Sequence, residues 1–171
     1  MKLSEVKIME KKRYAVIGHP LSHTMSPFIH SRLFQLEGIE AEYSVLDIPP
    51  ENLEKEFQET LSKLNGYNIT IPHKQTIIPF LSKLDRKAKQ YGSVNTVNNK
   101  NGSIGYTTDP DGFLTALHTA GMELKGKVVI LGCGGVARTF AFEAAKAGAD
   151  VTLAVRREDI HQVAQLCGEI I

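Results

Sequence analysis

The sequence predicts an α/β protein: a three-layer, mostly parallel sheet domain with an edge hairpin, followed by an incomplete Rossmann-like βαβ unit. Short apolar segments alternate with amphipathic, helix-like segments from residue 14 onward, which favours parallel strands covered by helices. Near residue 132 a glycine-rich loop joins an apolar segment to an alanine-rich one, which is typical of a new βαβ unit. The 171 residues, of which 42% are hydrophobic, allow one domain or two small ones.

The first half of the chain predicts strands and helices in alternation. Residues 14–18 have the apolar run and final glycine of a buried strand. Ser26 and Pro27 predict a helix start with Ser26 as the N-cap, and Gly38 predicts the end of that helix. The elements predicted next are strand 42–46, a helix carrying 53–64, strand 66–71, a helix carrying 77–84, and a hairpin of strands 93–97 and 103–107 that adds an antiparallel edge.

The pattern changes after Asp109. A connecting helix is predicted over 112–120, and one βαβ unit follows it. The elements of this unit are strand 127–131, helix 137–147 and strand 151–155, with a further helix from Glu158. We therefore divide the chain into a first domain of residues 1–109 and a partial second domain of residues 110–171.

Composition and charge exclude several classes of protein. Twenty Lys and Arg residues against nineteen Asp and Glu give a net charge of +1, so neither nucleic acid nor an anionic membrane is expected as a partner. No apolar run approaches the ~20 residues that span a bilayer, and the first residues lack a signal-peptide core. The two cysteines, Cys133 and Cys167, have the spacing of neither a disulfide framework nor a metal site. We expect a cytoplasmic protein without a metal.

The run from Gly132 to Ala137 has the spacing of a dinucleotide-binding loop. Its members are Gly132, Cys133, Gly134, Gly135, Val136 and Ala137, and they lie between a predicted strand and a predicted helix. Small residues let a pyrophosphate approach the backbone, and the helix N-terminus supplies free N–H donors. The alternative is a tight turn that binds no ligand. Cys133 is interpreted as a small spacer and not as a nucleophile.

The end of the next strand bears on the choice of cofactor. A site for NAD usually places an acidic residue there, whereas this chain has Arg156 and Arg157 and no carboxylate before Glu158. Two guanidinium groups suit the 2′-phosphate of NADP through charge and paired hydrogen bonds. The sequence therefore predicts NADP, and the alternative is a pair of solvated arginines at a helix start.

Three polar clusters follow predicted strands of the first domain, where ligands bind in α/β sheets. They lie in residues 18–27, 68–74 and 92–109. Together they offer hydroxyls, amides, one lysine and one aspartate, without a metal-ligand cluster. Such a set suits a small, polyhydroxylated, anionic substrate.

With these clusters the chain resembles the shikimate dehydrogenase family. The matching motifs, in the family's order, are Ser22-His-Thr-Met-Ser-Pro27, Asn68-Ile-Thr-Ile-Pro-His-Lys74, Gly92-Ser-Val-Asn-Thr96, Gly105-Tyr-Thr-Thr-Asp109 and the loop from Gly132 to Arg138. The resemblance implies reduction of 3-dehydroshikimate to shikimate with NADPH, a step of the shikimate pathway toward chorismate and the aromatic amino acids.

The resemblance also implies roles for single residues. Lys74 and Asp109 match the family's catalytic pair. The positions that match substrate-binding residues are Thr24, Ser26, Thr70 and Asn95, and those near the cofactor's phosphates and adenine are Arg138 and Arg156. Hydride transfer to a ketone builds negative charge on its oxygen, and a lysine oriented by a carboxylate can donate to that oxygen. The direction of proton transfer stays open. The plain alternatives are a solvated lysine that opens a helix and an aspartate that caps one.

The chain departs from the family pattern in two motifs and in length. The family commonly has Asn where this chain has Thr107, and Asn-Arg-Thr where it has Val155-Arg156-Arg157, which leaves cofactor preference open. Family members continue through the second half of the nucleotide domain and return with a helix on the first domain. The rival hypotheses are a quinate or dual quinate/shikimate dehydrogenase using NAD, and a non-catalytic ligand-binding fragment. We expect slow or absent turnover from the chain alone, and a homodimer through its open sheet.

Overall fold

The computed structural model describes residues 11–170 and contains two β-sheets with helices around them. The strands of the first sheet are β1 (Lys12–Gly18), β2 (Ala41–Asp47), β3 (Gly66–Ile69), β4 (Lys83–Leu84), β5 (Thr96–Asn98) and β6 (Ile104–Tyr106). Those of the second sheet are β7 (Lys127–Leu131) and β8 (Asp150–Ala154). The helices are α1 (Ser26–Leu36), α2 (Leu53–Glu59), α3 (His73–Thr76), α4 (Arg86–Tyr91), α5 (Asp109–Thr119), α6 (Gly135–Lys146) and α7 (Ile160–Ile170). The predicted α/β class is confirmed.

The strands of the first sheet lie in the order β2-β1-β3-β5-β6-β4. β1 pairs in parallel with β2 and β3, while β5 runs antiparallel to β3 and β6. The predicted hairpin is therefore present as β5 and β6. It does not end the sheet, however, because β4 adds a parallel strand outside β6.

The segment between β3 and β5 differs most from its prediction. The helix predicted to carry residues 77–84 is wrong: the structure has the four-residue α3, a single helical turn over Ile78–Phe80, and then β4. Pro79 explains the break, because proline has no backbone N–H and disfavours a helical residue before it. The sequence also did not predict α4, which Asp85 caps by accepting a hydrogen bond from the Ala88 N–H at 2.7 Å.

The start of α1 also differs from its prediction. Ser26 is the first residue of the helix and not its N-cap, because Met25 occupies the cap position and no side chain caps the helix. The Ser26 N–H instead donates to Thr24 Oγ1 at 3.2 Å. The hydroxyl of Ser26 is thus not committed to capping.

Side chains alternate between the two faces along each central strand, so the first sheet has one apolar face and one face with polar residues. Ile17, Tyr67 and Val97 point into the main hydrophobic core, which α2 and α4 complete. Asn68 lies opposite Thr96 in the antiparallel pairing of β3 with β5, and both point to the other face, on which α1 lies. A polar row therefore crosses the face that does not form the main core.

The second sheet is covered by helices on one face. Ala141 and Phe142 of α6 and Leu166 of α7 pack with Ile130 in a smaller core. The apolar side chains of Val129 and Leu131 on β7 are 64% and 81% exposed. One face of this βαβ unit is thus open in the part of the chain described.

Aromatic and polar contacts join the two parts of the molecule. The Tyr91 hydroxyl of α4 donates to Glu143 of α6, and both residues are buried. The Tyr91 ring meets Phe142 edge-on, with ring centroids 5.6 Å apart. Phe113 of α5 stacks on Phe140 at 3.8 Å. Among residues 11–170, no helix has the length and apolar character needed to cross a membrane.

Candidate active site

Lys74 and Asp109 form an ion pair beside the first sheet. Lys74 Nζ lies 2.7 Å from Asp109 Oδ2, and the two side chains are 12% and 19% exposed. Lys74 follows β3 and Asp109 follows β6, two strands that point in the same direction because each is antiparallel to β5. Asp109 is the first residue of α5, where the helix dipole favours a negative charge.

Asn95 holds Asp109 from the side opposite Lys74. Its Nδ2 donates to Asp109 Oδ1 and to Thr108 Oγ1, each at 2.8 Å. The backbone joins the same groups, because the Val94 N–H donates to the carbonyl oxygen of Lys74 at 2.8 Å. Both carboxylate oxygens of Asp109 therefore accept a hydrogen bond, which fixes the orientation of this side chain.

Thr24, Ser26 and Thr70 line one cavity of about 390 Å³ between the end of β1 and the start of α1. The structure thus brings together three of the four predicted substrate-binding residues. His19 also lines this cavity, and its Nδ1 lies 2.7 Å from Asp47 Oδ1. The hydrogen bond from His19 lowers the pKa of the Asp47 carboxyl. Hydroxyl groups around a small cavity supply the donors that a bound carboxylate requires.

A cleft of about 680 Å³ joins Lys74 to the glycine loop. The predicted cofactor residues that line it are Gly132, Gly134, Gly135, Val136 and Ala137. Gly135 makes the closest approach: a Cβ built on it would lie 2.7 Å from Ser93 Oγ and 3.3 Å from Lys74 Cβ. Glycine at this position therefore lets the loop pack directly against the backbone that carries Lys74.

The structure separates the three arginines predicted for the cofactor. Arg156 lines a cavity of about 700 Å³ at the end of β8, where it pairs with Asp159 at 3.0 Å. Arg157 is exposed on the turn that follows and does not line this cavity. Arg138 is buried away from it, donates to the carbonyl oxygen of Tyr91 at 3.3 Å, and pairs with Glu169. Arg138 therefore joins α4, α6 and α7.

Cys133 lies in the glycine loop but is a poor nucleophile. Its side chain is buried, and Sγ lies 3.4 Å from Gln162 Oε1. Burial raises the pKa of the Cys133 thiol, and the negative charge of Asp159 acts in the same direction. A smaller thiolate fraction lowers reactivity, which agrees with its interpretation as a spacer.

Four residues for which the sequence predicts no role lie at the candidate site or on the polar row that leads to it. Thr108 contacts Asn95 directly, while Asn68 and Thr96 lie on the polar row described above. Tyr43 of β2 reaches the same row, because its hydroxyl donates to Asn68 Oδ1 at 2.6 Å. Asn68 and Thr96 stand within the quoted motifs, but no local signal pairs them with Tyr43, which is 25 residues away from Asn68 in the chain.

The sequence of this chain is similar to that of known proteins and to one family model. Residues 16–97 match the family model described as the shikimate dehydrogenase substrate binding domain. A curated relative, shikimate dehydrogenase (NADP(+)) of Staphylococcus aureus strain MRSA252, is 44% identical over 138 residues, which cover 78% of this chain and 51% of that protein. The chain therefore spans about half the length of the curated relatives it matches.

Solved structures extend the likeness to both sheets. Shikimate dehydrogenase from Aquifex aeolicus superimposes with a TM-score of 0.84 at 36% identity, over 93% of this chain and 60% of that one. A shikimate dehydrogenase from Thermus thermophilus, solved in complex with NADP(H) and shikimate, gives a TM-score of 0.79 at 33% identity, again over 93% and 60%.

Proposed function

Because this chain belongs to the shikimate dehydrogenase family, we propose that it carries the catalytic pair and part of the cofactor site of an NADP-dependent shikimate dehydrogenase. This activity is the reversible reduction of 3-dehydroshikimate to shikimate. The observation that supports it most is the half-buried ion pair of Lys74 and Asp109 on the cleft that leads to the glycine loop. In this proposal residues 1–109 bind substrate and residues 110–171 form part of the nucleotide domain.

The ion pair supplies the proton chemistry of the reaction. Reduction of the keto group builds negative charge on its oxygen, and the Lys74 ammonium donates the proton that converts this oxygen into the hydroxyl of the product. Asp109 orients the ammonium, since its other oxygen is held by Asn95. In the reverse direction the same Lys74 Nζ accepts the proton of the alcohol.

The substrate cavity suits the remaining groups of shikimate. Thr24 and Ser26 hold the carboxylate through hydroxyl and backbone donors at the start of α1. Thr70 lines this cavity and binds a ring hydroxyl. Asn95, beside the Lys74–Asp109 pair, binds another by exchanging its hydrogen bond with Thr108 Oγ1 for one with the substrate. Hydroxyl and amide groups donate and accept, as recognition of a polyhydroxylated ring requires.

The residues around the glycine loop fit NADP. A Cβ built on Gly132 or Gly134 meets no atom within 4 Å, so the space above the loop is open to a pyrophosphate. Arg156 borders the cavity at the end of β8, where a 2′-phosphate would be held. NADPH supplies the hydride when it is bound. Arg138 remains a candidate for a phosphate of the cofactor, because its bonds to the Tyr91 carbonyl oxygen and to Glu169 use only part of the five N–H donors of a guanidinium.

Turnover and binding together test this function. The first assay follows the formation of NADPH from NADP⁺ in the presence of shikimate. The second titrates shikimate into the chain and records the backbone amide signals by NMR. We expect resonances near Thr24, Ser26 and Asn95 to shift. Turnover by the chain alone is expected to be slow, and Lys74→Ala should lower its kcat by a further factor of roughly 10²–10⁴, whereas Lys55→Ala on the exposed side of α2 should leave it unchanged. Absence of both turnover and shikimate binding would contradict the proposal.

The rival functions are separate outcomes of the same experiments. Quinate preferred over shikimate would indicate a quinate dehydrogenase, and shikimate binding without turnover would indicate a ligand-binding module. For the cofactor, Arg156→Gln should weaken NADP⁺ binding more than NAD⁺ binding, because only NADP⁺ carries the 2′-phosphate.

The proposal extends to the cellular compartment and the oligomeric state of the chain. We place the reaction in the cytoplasm and expect no nucleic acid partner. The exposed Val129 and Leu131 favour a homodimer through the second sheet, which a measurement of mass in solution tests.

A further inference from the structure

A row of polar side chains crosses the first sheet from β2 to the candidate catalytic pair. Register places its members on one face, because Val16 lies opposite both Val45 and Asn68, and Asn68 lies opposite Thr96. Tyr43 is two residues before Val45 and so shares this face. The row begins at Tyr43 on the edge strand and ends at Asp109.

Each member of the row donates a hydrogen bond to the next. The Tyr43 hydroxyl donates to Asn68 Oδ1 at 2.6 Å, and Asn68 Nδ2 donates to Thr96 Oγ1 at 3.1 Å. The Thr96 hydroxyl donates to Asn95 Oδ1 at 3.0 Å, and Asn95 Nδ2 donates to Asp109 Oδ1 at 2.8 Å. All four donors therefore point toward the Asp109 carboxylate. Hydrogen bonds arranged in one direction polarise and strengthen one another.

Asn95 uses both ends of its amide in this arrangement. Oδ1 accepts from the Thr96 hydroxyl and from the Thr108 N–H at 3.1 Å, while Nδ2 donates to Thr108 Oγ1 and Asp109 Oδ1. A flipped amide would point its oxygen at the carboxylate and its NH₂ group at the Thr108 N–H, and so lose both of these bonds. The Thr96 hydroxyl donates to the same Oδ1 as the Thr108 N–H and thus strengthens the orientation that suits Asp109.

Tyr43 is held in place as the first donor. Its ring stacks on His30 of α1, with centroids 4.3 Å apart and an angle of 5° between the rings. Burial raises the pKa of the Tyr43 phenol, although a hydrogen bond with Ser26 acts in the opposite direction. The hydroxyl therefore keeps its proton and remains a donor to Asn68.

We propose that Tyr43 and Thr96 are positioning residues of the active site, which orient Asn68 and Asn95 so that Asp109 faces Lys74. Neither hydroxyl reaches Asp109 directly; each acts through the amide of the next residue in the row. The effect on turnover rests on the proposed function, whereas the effect on the orientation of Asn95 does not.

Four variants separate this role from a general structural one. Thr96→Val removes the hydroxyl between the two amides at nearly constant volume, and Thr96→Ser restores it. Tyr43→Phe removes the first donor and keeps the ring. Tyr14→Phe is its matched control, because Tyr14 stands next to Tyr43 in the pairing of β1 with β2 and its hydroxyl does not belong to the row.

The first measurement is the side-chain amide signal of Asn95 in a proton–nitrogen NMR spectrum. Thr96→Val and Tyr43→Phe should shift this signal and speed its exchange with solvent, with the larger effect from Thr96→Val. Thr96→Ser and Tyr14→Phe should leave it unchanged. An Asn95 signal that is the same in Thr96→Val as in the original chain would overturn the proposal, whether or not the chain turns over shikimate.

The second measurement is steady-state turnover of shikimate. Loss of one neutral hydrogen bond in the row corresponds to a fall in kcat of roughly threefold to tenfold. We expect this fall in Thr96→Val and Tyr43→Phe with KM nearly unchanged, and recovery in Thr96→Ser. Equal losses in Thr96→Val and Thr96→Ser would refute the positioning role, whereas an inactive original chain would refute only the proposed function.

Discussion

The close approach of Gly135 to Ser93 predicts that Gly135→Ala destabilises the chain. The added Cβ would lie 2.7 Å from Ser93 Oγ, closer than real Cβ atoms come, and 3.3 Å from Lys74 Cβ. Ser93 is fully buried and cannot turn into solvent. Overpacking of this kind lowers the free energy of unfolding by ~1–3 kcal/mol. The greater helix propensity of alanine offsets at most ~1 kcal/mol of that loss.

A double-mutant cycle in urea isolates this contact. Ser93 Oγ is buried and has no hydrogen-bond partner among residues 11–170, so Ser93→Ala alone should change stability little. It also removes the atom that the new Cβ would meet. The double variant Ser93→Ala/Gly135→Ala should therefore regain most of the stability lost in Gly135→Ala, with a coupling energy of ~1–2 kcal/mol.

Gly134→Ala is the matched control for this cycle. Its backbone is extended, with φ of −69°, and a Cβ built there meets no atom within 4 Å. Because Gly134 is the N-cap of α6, where alanine is less favourable than glycine, we expect Gly134→Ala to lose at most ~1 kcal/mol of unfolding free energy. Ser93→Ala should not restore that loss. Equal urea midpoints for Gly134→Ala and Gly135→Ala, or a cycle without coupling, would show that the close approach of Gly135 to Ser93 does not limit stability.

Two further predictions concern the contact between the two sheets and the cysteines. Tyr91→Phe removes the hydrogen bond to the buried carboxylate of Glu143. It should lower the free energy of unfolding, measured in a urea titration, by ~1–3 kcal/mol. An unchanged urea midpoint would show that this bond is not formed in solution. Burial raises the pKa of the Cys133 thiol, so at a given pH it has less thiolate than an ordinary cysteine. Iodoacetamide should therefore modify the exposed Cys167 first. Peptide mass spectrometry can follow the labelling of each cysteine. Preferential labelling of Cys133 would contradict its burial.

Local patterns predicted the elements whose signals lie close together in sequence. The glycine loop and β7 were predictable because an apolar strand, a turn and a helix follow one another within 20 residues. The apolar spacing of residues 77–84 fits a helix, but Pro79 interrupts it. Ser26 has the residue type of an N-cap, but residue type alone does not show which residue has the non-helical backbone angles of a cap.

Contacts between distant residues account for what the sequence could not predict at the site. Asn95 and Asp109 lie 14 residues apart, and Arg138 meets Tyr91 across 47 residues. The motif predicts that Arg138, which follows the glycine loop, lies near the cofactor. Only the packing shows that its guanidinium binds the Tyr91 carbonyl oxygen and Glu169. Tyr43 lies in none of the motifs, so the sequence predicts no role for it at the site.

The absence of a side chain at Gly135 also sets how near the two sheets come to each other at the cleft. A Cβ at this position would lie 2.7 Å from Ser93 Oγ and 3.3 Å from Lys74 Cβ, so a larger residue would force the second sheet away from Lys74. Gly135 and Lys74 line the same cleft. A position that has no side chain of its own thus determines the width of this cleft.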